Sequence, residues 1–269
     1  MASHRGEAKL IAGGQSLMPM LNFRLLDPAL LVDISRLPDL AQITASGRGI
    51  TVGAGVCHHA LMRSPELAER LPIINHTMQY VAHMAIRNRG TIGGSLAHGD
   101  PAAELPLLAV LLDADIHITG PAGDRTARAE DFFLAPLTTD LSEDEILTAV
   151  TFPNLAAGSG WGFEEIARRT GDFALAGAGA VLTLHHGVIA DVRLAMMGVD
   201  ETPRRLPAIE AMLLGRAWDA GVRASAVRQV REQVNPMSDL QASADYRRHL
   251  AGVVAGRALD TAWAKGHMP

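Results

Sequence analysis

Two pairs of adjacent glycines, each beside a hydroxyl side chain, are the part of this sequence best suited to bind a ligand. The first pair, Gly13-Gly14, is followed by Gln15-Ser16; the second, Gly93-Gly94, lies between Thr91-Ile92 and Ser95. Because glycine has no Cβ, its N–H can approach a bulky anion and its φ can be positive. Successive N–H groups in such a turn form a concave anion site. We expect the two segments to hold one pyrophosphate from both sides, which indicates a dinucleotide cofactor.

Neither pair matches the spacing of the common nucleotide-binding loops. The sequence G-x-G-x-x-G is absent, and no lysine follows either pair as it does in a P-loop. A lone glycine pair most often marks an ordinary turn, so the prediction depends on the combination of both. Glu104, nine residues after Ser95, adds a carboxylate that could accept hydrogen bonds from nucleotide hydroxyls.

Composition favours a globular protein of one or two domains and argues against several other classes. The 269 residues are 48% hydrophobic, enough for a sizeable core, and the net charge of −5 without a basic stripe argues against nucleic-acid binding. Cys57, the only cysteine, cannot by itself hold an iron–sulfur cluster or a zinc ion. No signal peptide and no apolar run of membrane-spanning length are visible. We expect a cytoplasmic protein with no transmembrane segment, no metal site and no catalytic side chain.

Hydrophobic periodicity predicts a mixture of helices and strands on either side of a short linker. The predicted strands before the linker are 9–12, 30–34, 42–45, 50–53, 116–119, 126–129 and 146–152. One or two helical turns are predicted within 17–25, two or three helical pieces over 58–82 with breaks near Ser64-Pro65 and Leu71-Pro72, and a buried helix at 104–113. The small and flexible residues 155–160 form the predicted linker. Beyond it, strands are predicted at 161–168, 175–185 and 188–197, and helices at 221–234 and 244–263. Periodicity alone predicts no more than a mixed α and β protein.

Longer strings around the glycine pairs resemble a known family. Lys9-Leu-Ile-Ala-Gly-Gly-Gln-Ser-Leu-Met-Pro19 precedes Ile86-Arg-Asn-Arg-Gly-Thr-Ile-Gly-Gly-Ser-Leu-Ala-His-Gly-Asp-Pro101 and Ala102-Ala-Glu-Leu-Pro106. In this order and spacing they resemble the FAD-binding medium subunit of molybdenum hydroxylases, the carbon monoxide dehydrogenase and xanthine dehydrogenase family. The segment 168–174 resembles the opening of that family's C-terminal domain, and the likeness covers nearly the whole chain.

The resemblance implies an α+β fold in two domains. Residues 1–155 would form a two-lobed FAD-binding domain of the PCMH or vanillyl-alcohol-oxidase-like type. Residues 160–269 would form a C-terminal domain with a three-stranded antiparallel sheet and helices. Relatives usually have about one more strand and helix before the first glycine pair. We therefore expect the N-terminal lobe to be truncated, or its edge to be covered by another chain.

The resemblance also implies which residues contact FAD. The first segment would wrap the pyrophosphate, the second would hold it from the other side, Glu104 would bind the nucleotide, and Leu147 would pack near the adenine or the ring. The complete set is Leu10, Ile11, Ala12, Gly13, Gly14, Gln15, Ser16, Leu17, Thr91, Ile92, Gly93, Gly94, Ser95, Glu104 and Leu147.

The implied function is electron transfer by a subunit of a larger complex. Substrate would be oxidised at molybdenum on a large subunit, and electrons would pass through iron–sulfur clusters of a small subunit to FAD and then to an external acceptor. The implied assembly is a dimer of heterotrimers. Two alternatives stay open: a stand-alone flavin-dependent oxidase, and a scaffold subunit that no longer binds FAD.

Overall fold

The chain begins with a small parallel sheet that carries the first glycine pair. In the computed structural model, which describes residues 6–267, strand β1 (Ala8–Ile11) pairs with β2 (Leu30–Asp33). Helix α1 (Leu17–Asn22) connects them and buries none of its residues. Both predicted strands are confirmed to within one residue at each end, and the helix lies within the predicted segment 17–25 with the predicted length of one or two turns.

A five-stranded antiparallel sheet forms the second lobe, with the strand order β3-β4-β9-β5-β6. Its strands are β3 (Ile43–Ala45), β4 (Gly49–Gly53), β5 (Asp115–Gly120), β6 (Gly123–Arg128) and β9 (Ile146–Pro153), and β7 (Phe133–Ala135) and β8 (Thr138–Thr139) form a separate hairpin. The helices are α2 (His58–Arg63), α3 (Pro65–Arg70), α4 (Pro72–Thr77), α5 (Met84–Arg87), α6 (Ile92–His98), α7 (Glu104–Leu111) and α8 (Ala129–Phe132), and Pro38–Leu40 is a 3-10 turn.

The helical region predicted at 58–82 is divided into short helices at both predicted breaks, before Pro65 and before Pro72. Pro65 and Pro72 are the first residues of α3 and α4. Proline is tolerated in the first helical turn but interrupts a helix interior, because it lacks an N–H and clashes with the preceding turn. Ser64 completes the start of α3, since its side chain accepts a hydrogen bond from the Leu67 N–H.

The C-terminal half is an antiparallel sheet covered by helices. Its strands are β10 (Gly160–Ala167), β11 (Ala174–His185), β12 (Val188–Met197) and β13 (Arg204–Arg205), and its helices are α9 (Pro207–Leu213), α10 (Ala220–Gln233) and α11 (Ala244–Gly266). The three long strands confirm the predicted sheet; β13, only two residues long, and α9 were not predicted. Gly162 allows α11 to pack closely, because a Cβ there would overlap the Ala258 carbonyl oxygen.

Helix α7 lies between the two halves and joins their cores. Residues 105–111 are all buried. A Cβ at Gly179 of β11 would lie 2.6 Å from Leu111 and 3.0 Å from Leu107, so this glycine makes room for the helix. One hydrophobic cluster accordingly includes Leu107 and Leu111 together with Phe163 and Val181 from the C-terminal sheet. Burying a side chain of this size contributes about 1.5–3 kcal/mol, so the shared core holds the halves together.

An ion-pair cluster adds to this connection just beyond α7. Asp113 accepts from Arg205 at 2.8 Å and from Arg193 at 3.2 Å, and both arginines belong to the C-terminal sheet. Asp113 itself has a positive φ of 52°. Within residues 6–267, no helix is both long and apolar enough to span a lipid bilayer.

Candidate cofactor-binding site

The first glycine pair forms a tight turn between β1 and α1. Gly14 has a φ of 72°, a conformation that side chains other than glycine rarely adopt. The Gln15 side-chain amide donates to the Gly13 carbonyl at 2.8 Å, and the Met18 N–H donates to the Gly14 carbonyl at 3.1 Å. These contacts fix the shape of the turn through its carbonyl groups and leave its amides available.

The amides of this turn have no acceptor of their own. In the described part of the chain, no hydrogen bond is donated by the backbone N–H of Gly13, Gly14, Gln15 or Ser16. Ser16 is exposed and the other three are half-buried. Four consecutive unpaired N–H groups at a glycine turn are a site that an anion can satisfy. The first segment therefore has the chemistry that its sequence predicts.

The second glycine pair is not a loop but the first turn of α6. Thr91 precedes the helix, and its Oγ1 accepts a hydrogen bond from the Gly94 N–H at 3.1 Å. The N–H of Ile92 donates to the Val56 carbonyl at 3.0 Å, and that of Gly93 to the Ala54 carbonyl at 2.9 Å. The expectation that these amides are free to grip a phosphate is therefore wrong.

The side chains of this segment leave only part of it accessible to a ligand. Ile92 and Gly93 are buried, and Thr91 is 7% exposed, whereas Gly94 is exposed and Ser95 is half-buried. A Cβ at Gly93 would overlap the Cβ of Ala54, so this glycine is required for close packing. The segment can offer the Ser95 hydroxyl and the surface of Gly94.

The two glycine segments are neighbours, as the sequence predicts. A Cβ at Gly13 would overlap the Arg89 carbonyl oxygen and would lie 2.8 Å from the Gly90 Cα. Arg89 and Gly90 directly precede Thr91, which starts the second segment. The turn with free amides is thus packed against the residues that lead into α6.

His58 packs against Gly90, which directly precedes the second segment. Its backbone N–H donates to the Gly90 carbonyl at 2.9 Å, and a Cβ at Gly90 would lie 3.0 Å from the imidazole Cε1. The imidazole is buried, and neither ring nitrogen has a hydrogen-bond partner among the described residues. Burial lowers the pKa of His58 to about 4, so the ring is neutral at pH 7. The sequence analysis did not identify this residue.

Of the two arginines before Thr91, one has a structural role. The Arg87 Nη1 donates to the carbonyls of Val81 and Ala82, each at 2.8 Å, and so fixes a turn in which Ala82 has a positive φ of 41°. Arg89 is exposed. The hydrogen bonds from Ser35 are the main cause of the lowered pKa of Asp33, and the charge of Arg89 lowers this pKa by a smaller amount.

Glu104 lies at the start of α7 in an environment that opposes ionisation. Burial, together with a smaller effect of the charge of Asp100, raises its pKa to about 7. Glu165, on β10, is a second carboxyl in this environment: burial and the charge of Glu104 raise its pKa to about 8. The sequence analysis missed Glu165, because the electrostatic effect of Glu104 on it arises from the tertiary structure and not from the local sequence.

Leu147 is part of the core. It lies on β9 opposite Ile118 of β5, with 4% of its surface exposed. Its side chain therefore has little surface to offer to a cofactor. The strand itself is close to the second segment, since the adjacent Thr148 carbonyl accepts from the Ala54 N–H at 2.9 Å and the Ala54 carbonyl accepts from Gly93.

Two family models match the chain. The first, described as the FAD binding domain in molybdopterin dehydrogenase, matches residues 1–155. The second, the CO dehydrogenase flavoprotein C-terminal domain, matches residues 161–262. Among characterised proteins, the carbon monoxide dehydrogenase medium chain of Hydrogenophaga pseudoflava is 37% identical over 259 residues, covering 96% of this chain and 90% of the relative. The nicotine 6-hydroxylase medium subunit of Paenarthrobacter nicotinovorans is also 37% identical, with 96% and 91% coverage.

Solved structures have the same fold. Carbon monoxide dehydrogenase from Hydrogenophaga pseudoflava, in a form that lacks the Mo-pyranopterin moiety of its cofactor, superposes with a TM-score of 0.96 at 38% identity, covering 98% of this chain and 92% of that one. Quinoline 2-oxidoreductase from Pseudomonas putida 86 superposes with a TM-score of 0.94 at 38% identity, with 97% and 91% coverage. The α+β fold implied by the resemblance is confirmed. The chain belongs to the family of FAD-binding medium subunits of molybdenum hydroxylases, and it is an oxidoreductase subunit.

Proposed function

We propose that this chain is the electron-transfer subunit of a molybdenum hydroxylase complex and that it holds FAD by the turn at residues 13–16. The observation that carries the proposal is the run of four backbone N–H groups at that turn for which residues 6–267 provide no acceptor. Such a run suits the diphosphate of a dinucleotide, because a backbone amide without an acceptor can donate to a phosphate oxygen.

The remaining contacts of the cofactor are proposed from the same two segments. Residues 10–17 would enclose the diphosphate, and residues 91–95 would contribute the Ser95 hydroxyl and the exposed surface of Gly94. Glu104 would accept hydrogen bonds from nucleotide hydroxyls. Thr91, Ile92 and Gly93 would act through their packing, because their amides and side chains are largely occupied or buried. FAD, when bound, supplies the redox chemistry: it accepts electrons from iron–sulfur clusters and releases them to an external acceptor.

The partners are proposed to be an iron–sulfur small subunit and a large subunit with the molybdenum cofactor, in a dimer of heterotrimers. The names of the relatives as medium chains or subunits support the presence of further chains. The single cysteine, Cys57, supports the placement of the clusters on another chain. We also propose a division into domains at 1–155 and 160–269, which the ranges of the two family models support. A cytoplasmic location is proposed because a lone free cysteine suits a reducing compartment.

Reconstitution with FAD tests the proposal directly. The purified chain is mixed with excess FAD, passed over a desalting column, and examined by flavin absorbance. We expect about one flavin per chain and no turnover of organic substrates by the chain alone. Substrate turnover by the isolated chain would favour the stand-alone oxidase instead. A chain that assembles with its partners but retains no flavin would favour the scaffold.

Electron transfer itself is tested in the assembled complex. The complex is reduced with its substrate under anaerobic conditions, and flavin bleaching is followed by rapid mixing. We expect bleaching in the complex and none when the iron–sulfur subunit is omitted. Bleaching that is independent of that subunit would contradict the proposed route.

A further inference from the structure

The buried imidazole of His58 is a side chain that the proposed binding of FAD does not yet use. It belongs to the first residue of α2 and is 7% exposed. Its two ring nitrogens have no hydrogen-bond partner within residues 6–267. The ring therefore acts on its surroundings through the atoms against which it packs.

The imidazole packs against the backbone of Gly90. A Cβ at Gly90 would lie 3.0 Å from the imidazole Cε1 and 3.2 Å from its Nδ1, so the ring and the Gly90 Cα are in contact. The Gly90 N–H donates to the Ile86 carbonyl at 2.7 Å, and the Gly90 carbonyl accepts from the His58 N–H at 2.9 Å. His58 thus holds Gly90 with both its backbone and its side chain.

The glycine turn of the first segment packs against the same peptide from another direction. A Cβ at Gly13 would overlap the Arg89 carbonyl oxygen and would lie 2.8 Å from the Gly90 Cα. The atoms nearest to a Cβ at Gly90 belong instead to His58 and Ile86. Gly90 therefore lies between the imidazole and the turn and has no side chain to separate them.

Close packing allows the imidazole to determine the position of the turn. A cavity left by a truncated buried side chain is only partly filled by movement of its neighbours. Without the imidazole, the Arg89–Gly90 peptide borders such a cavity and is free to move into it. Because Gly13 packs on this peptide, the amides of residues 13–16 then lose their common arrangement.

We propose that His58 is a positioning residue for the flavin cofactor: its imidazole keeps the Arg89–Gly90 peptide in place, and this peptide sets the arrangement of the amides of residues 13–16. The inference rests on the proposed function, in which these amides bind the FAD diphosphate. His58 acts through Gly90 and does not itself contact the cofactor.

The FAD affinity of side-chain variants tests the inference on the full chain at pH 7. Dissociation constants are measured by quenching of flavin fluorescence. We expect His58→Ala to bind FAD about tenfold more weakly than the wild type, the loss that follows when a hydrogen bond to a charged group is weakened. His58→Phe keeps a flat ring at this position and is expected to stay within about threefold of the wild type.

A second truncation separates positioning from a general loss of stability. Leu67 of α3 is also fully buried, and Leu67→Ala removes a side chain of similar size from a different helix. This matched control is expected to be less stable than the wild type and to bind FAD with wild-type affinity.

The position of the turn is also measurable without the cofactor. In the FAD-free chain labelled with ¹⁵N-glycine, residual dipolar couplings report the orientations of the Gly13, Gly14 and Gly90 N–H bonds. We expect all three couplings to change in His58→Ala and to keep their wild-type values in His58→Phe. Gly47, where a Cβ would meet open space, is expected to be unaffected in both variants.

Four results would overturn the inference while the proposed function stands. They are wild-type FAD affinity in His58→Ala, an equal loss of affinity in Leu67→Ala, a His58→Phe variant that binds as weakly as His58→Ala, and couplings that change at Gly90 but not at Gly13 and Gly14. Should circular dichroism show that His58→Ala is unfolded, His58→Val takes its place with the same expected direction. A wild-type chain that binds no FAD would overturn the proposed function itself, and the couplings would still show whether His58 fixes the turn.

Discussion

The two glycine pairs look alike in the sequence and do different physical work. At the first pair, Gly14 has a positive φ and the surrounding amides are unpaired. At the second pair, both glycines are helical, and their N–H groups have acceptors in Ala54 and Thr91. The first pair thus leaves donors for a ligand, and the second allows α6 to pack tightly against β4 and its following turn. A Gly-Gly pair beside a hydroxyl does not by itself indicate an anion site.

The largest expected effect is the loss of FAD affinity on changing Gly13. In Gly13→Ala the new Cβ overlaps the Arg89 carbonyl, which forces the turn and its amides to move. Losing one or two hydrogen bonds to a charged phosphate weakens binding by about a hundredfold, or about 2.7 kcal/mol. Gly47→Ala, where the Cβ would meet open space, is the control for an added methyl group. The FAD affinities of the two variants are measured by fluorescence titration. Equal affinities would show that the turn is not part of the FAD-binding site.

The next largest expected effect is on the pH dependence of stability, through the buried imidazole of His58. The folded chain lowers the pKa of His58 from 6.5 to about 4, so the unfolded chain binds this proton more tightly. A neutral His58 therefore makes its full contribution to the free energy of unfolding above pH 6.5. As the pH falls toward 4, the free energy of unfolding decreases by about 2–3 kcal/mol. In His58→Phe this loss is absent. Urea denaturation at pH 7, 5.5 and 4.5 measures it, and parallel pH profiles for the two proteins would contradict it.

Adding a methyl group to Gly93 tests the packing role of the second pair. The Cβ in Gly93→Ala overlaps Ala54 in a buried position, and overpacking of this kind costs about 1–3 kcal/mol. In the matched variant Gly94→Ala, the nearest atom to the Cβ is the Thr91 Oγ1 at 3.0 Å, and the residue is exposed. We expect Gly94→Ala to be near neutral, because higher helix propensity offsets the contact. A thermal melt in which both variants behave alike would argue against the packing role.

The smallest expected effect is the difference in stability between removing the Thr91 hydroxyl and removing the Ser16 hydroxyl. Thr91 caps α6 through its Oγ1, whereas Ser16, which precedes α1, makes no capping hydrogen bond. We therefore expect Thr91→Ala to lose about 1 kcal/mol of stability and Ser16→Ala to stay within about 0.5 kcal/mol of the wild type. Chemical denaturation of both variants measures the difference. A larger loss for Ser16→Ala would reverse the assignment of the cap.

Much of the fold could be predicted from the local pattern of apolar residues, and the long strands of the C-terminal sheet are an example. Strand β12 has the predicted bounds and β11 begins one residue earlier than predicted, because both are extended apolar runs joined by a Gly187 turn with positive φ. Helix α9 was not predicted because its seven residues, which begin with Pro207, offer less than two helical turns of periodicity.

The candidate site was predicted less completely, for reasons of long-range contact. The turn at the first pair is local, and its sequence indicates it correctly. The second segment depends on Ala54 and Val56, some forty residues earlier in the chain, whose carbonyls accept hydrogen bonds from the N–H groups of Gly93 and Ile92. The raised pKa of Glu165 depends in part on the charge of Glu104, which belongs to the other half of the chain. Local sequence thus predicts which residues could bind a ligand, whereas tertiary hydrogen bonds determine which of them remain free to do so.

The position of α7 has a consequence for how the molecule melts. The helix contributes Leu107 and Leu111 to a core that also receives side chains from the C-terminal sheet. Separating the two halves would therefore bring apolar surface of this helix into contact with water, at a cost comparable to unfolding part of either half. We expect scanning calorimetry to show a single heat-absorption peak, with a calorimetric enthalpy equal to the van't Hoff enthalpy. The sequence divides into two family modules, but this helix makes them one thermodynamic unit.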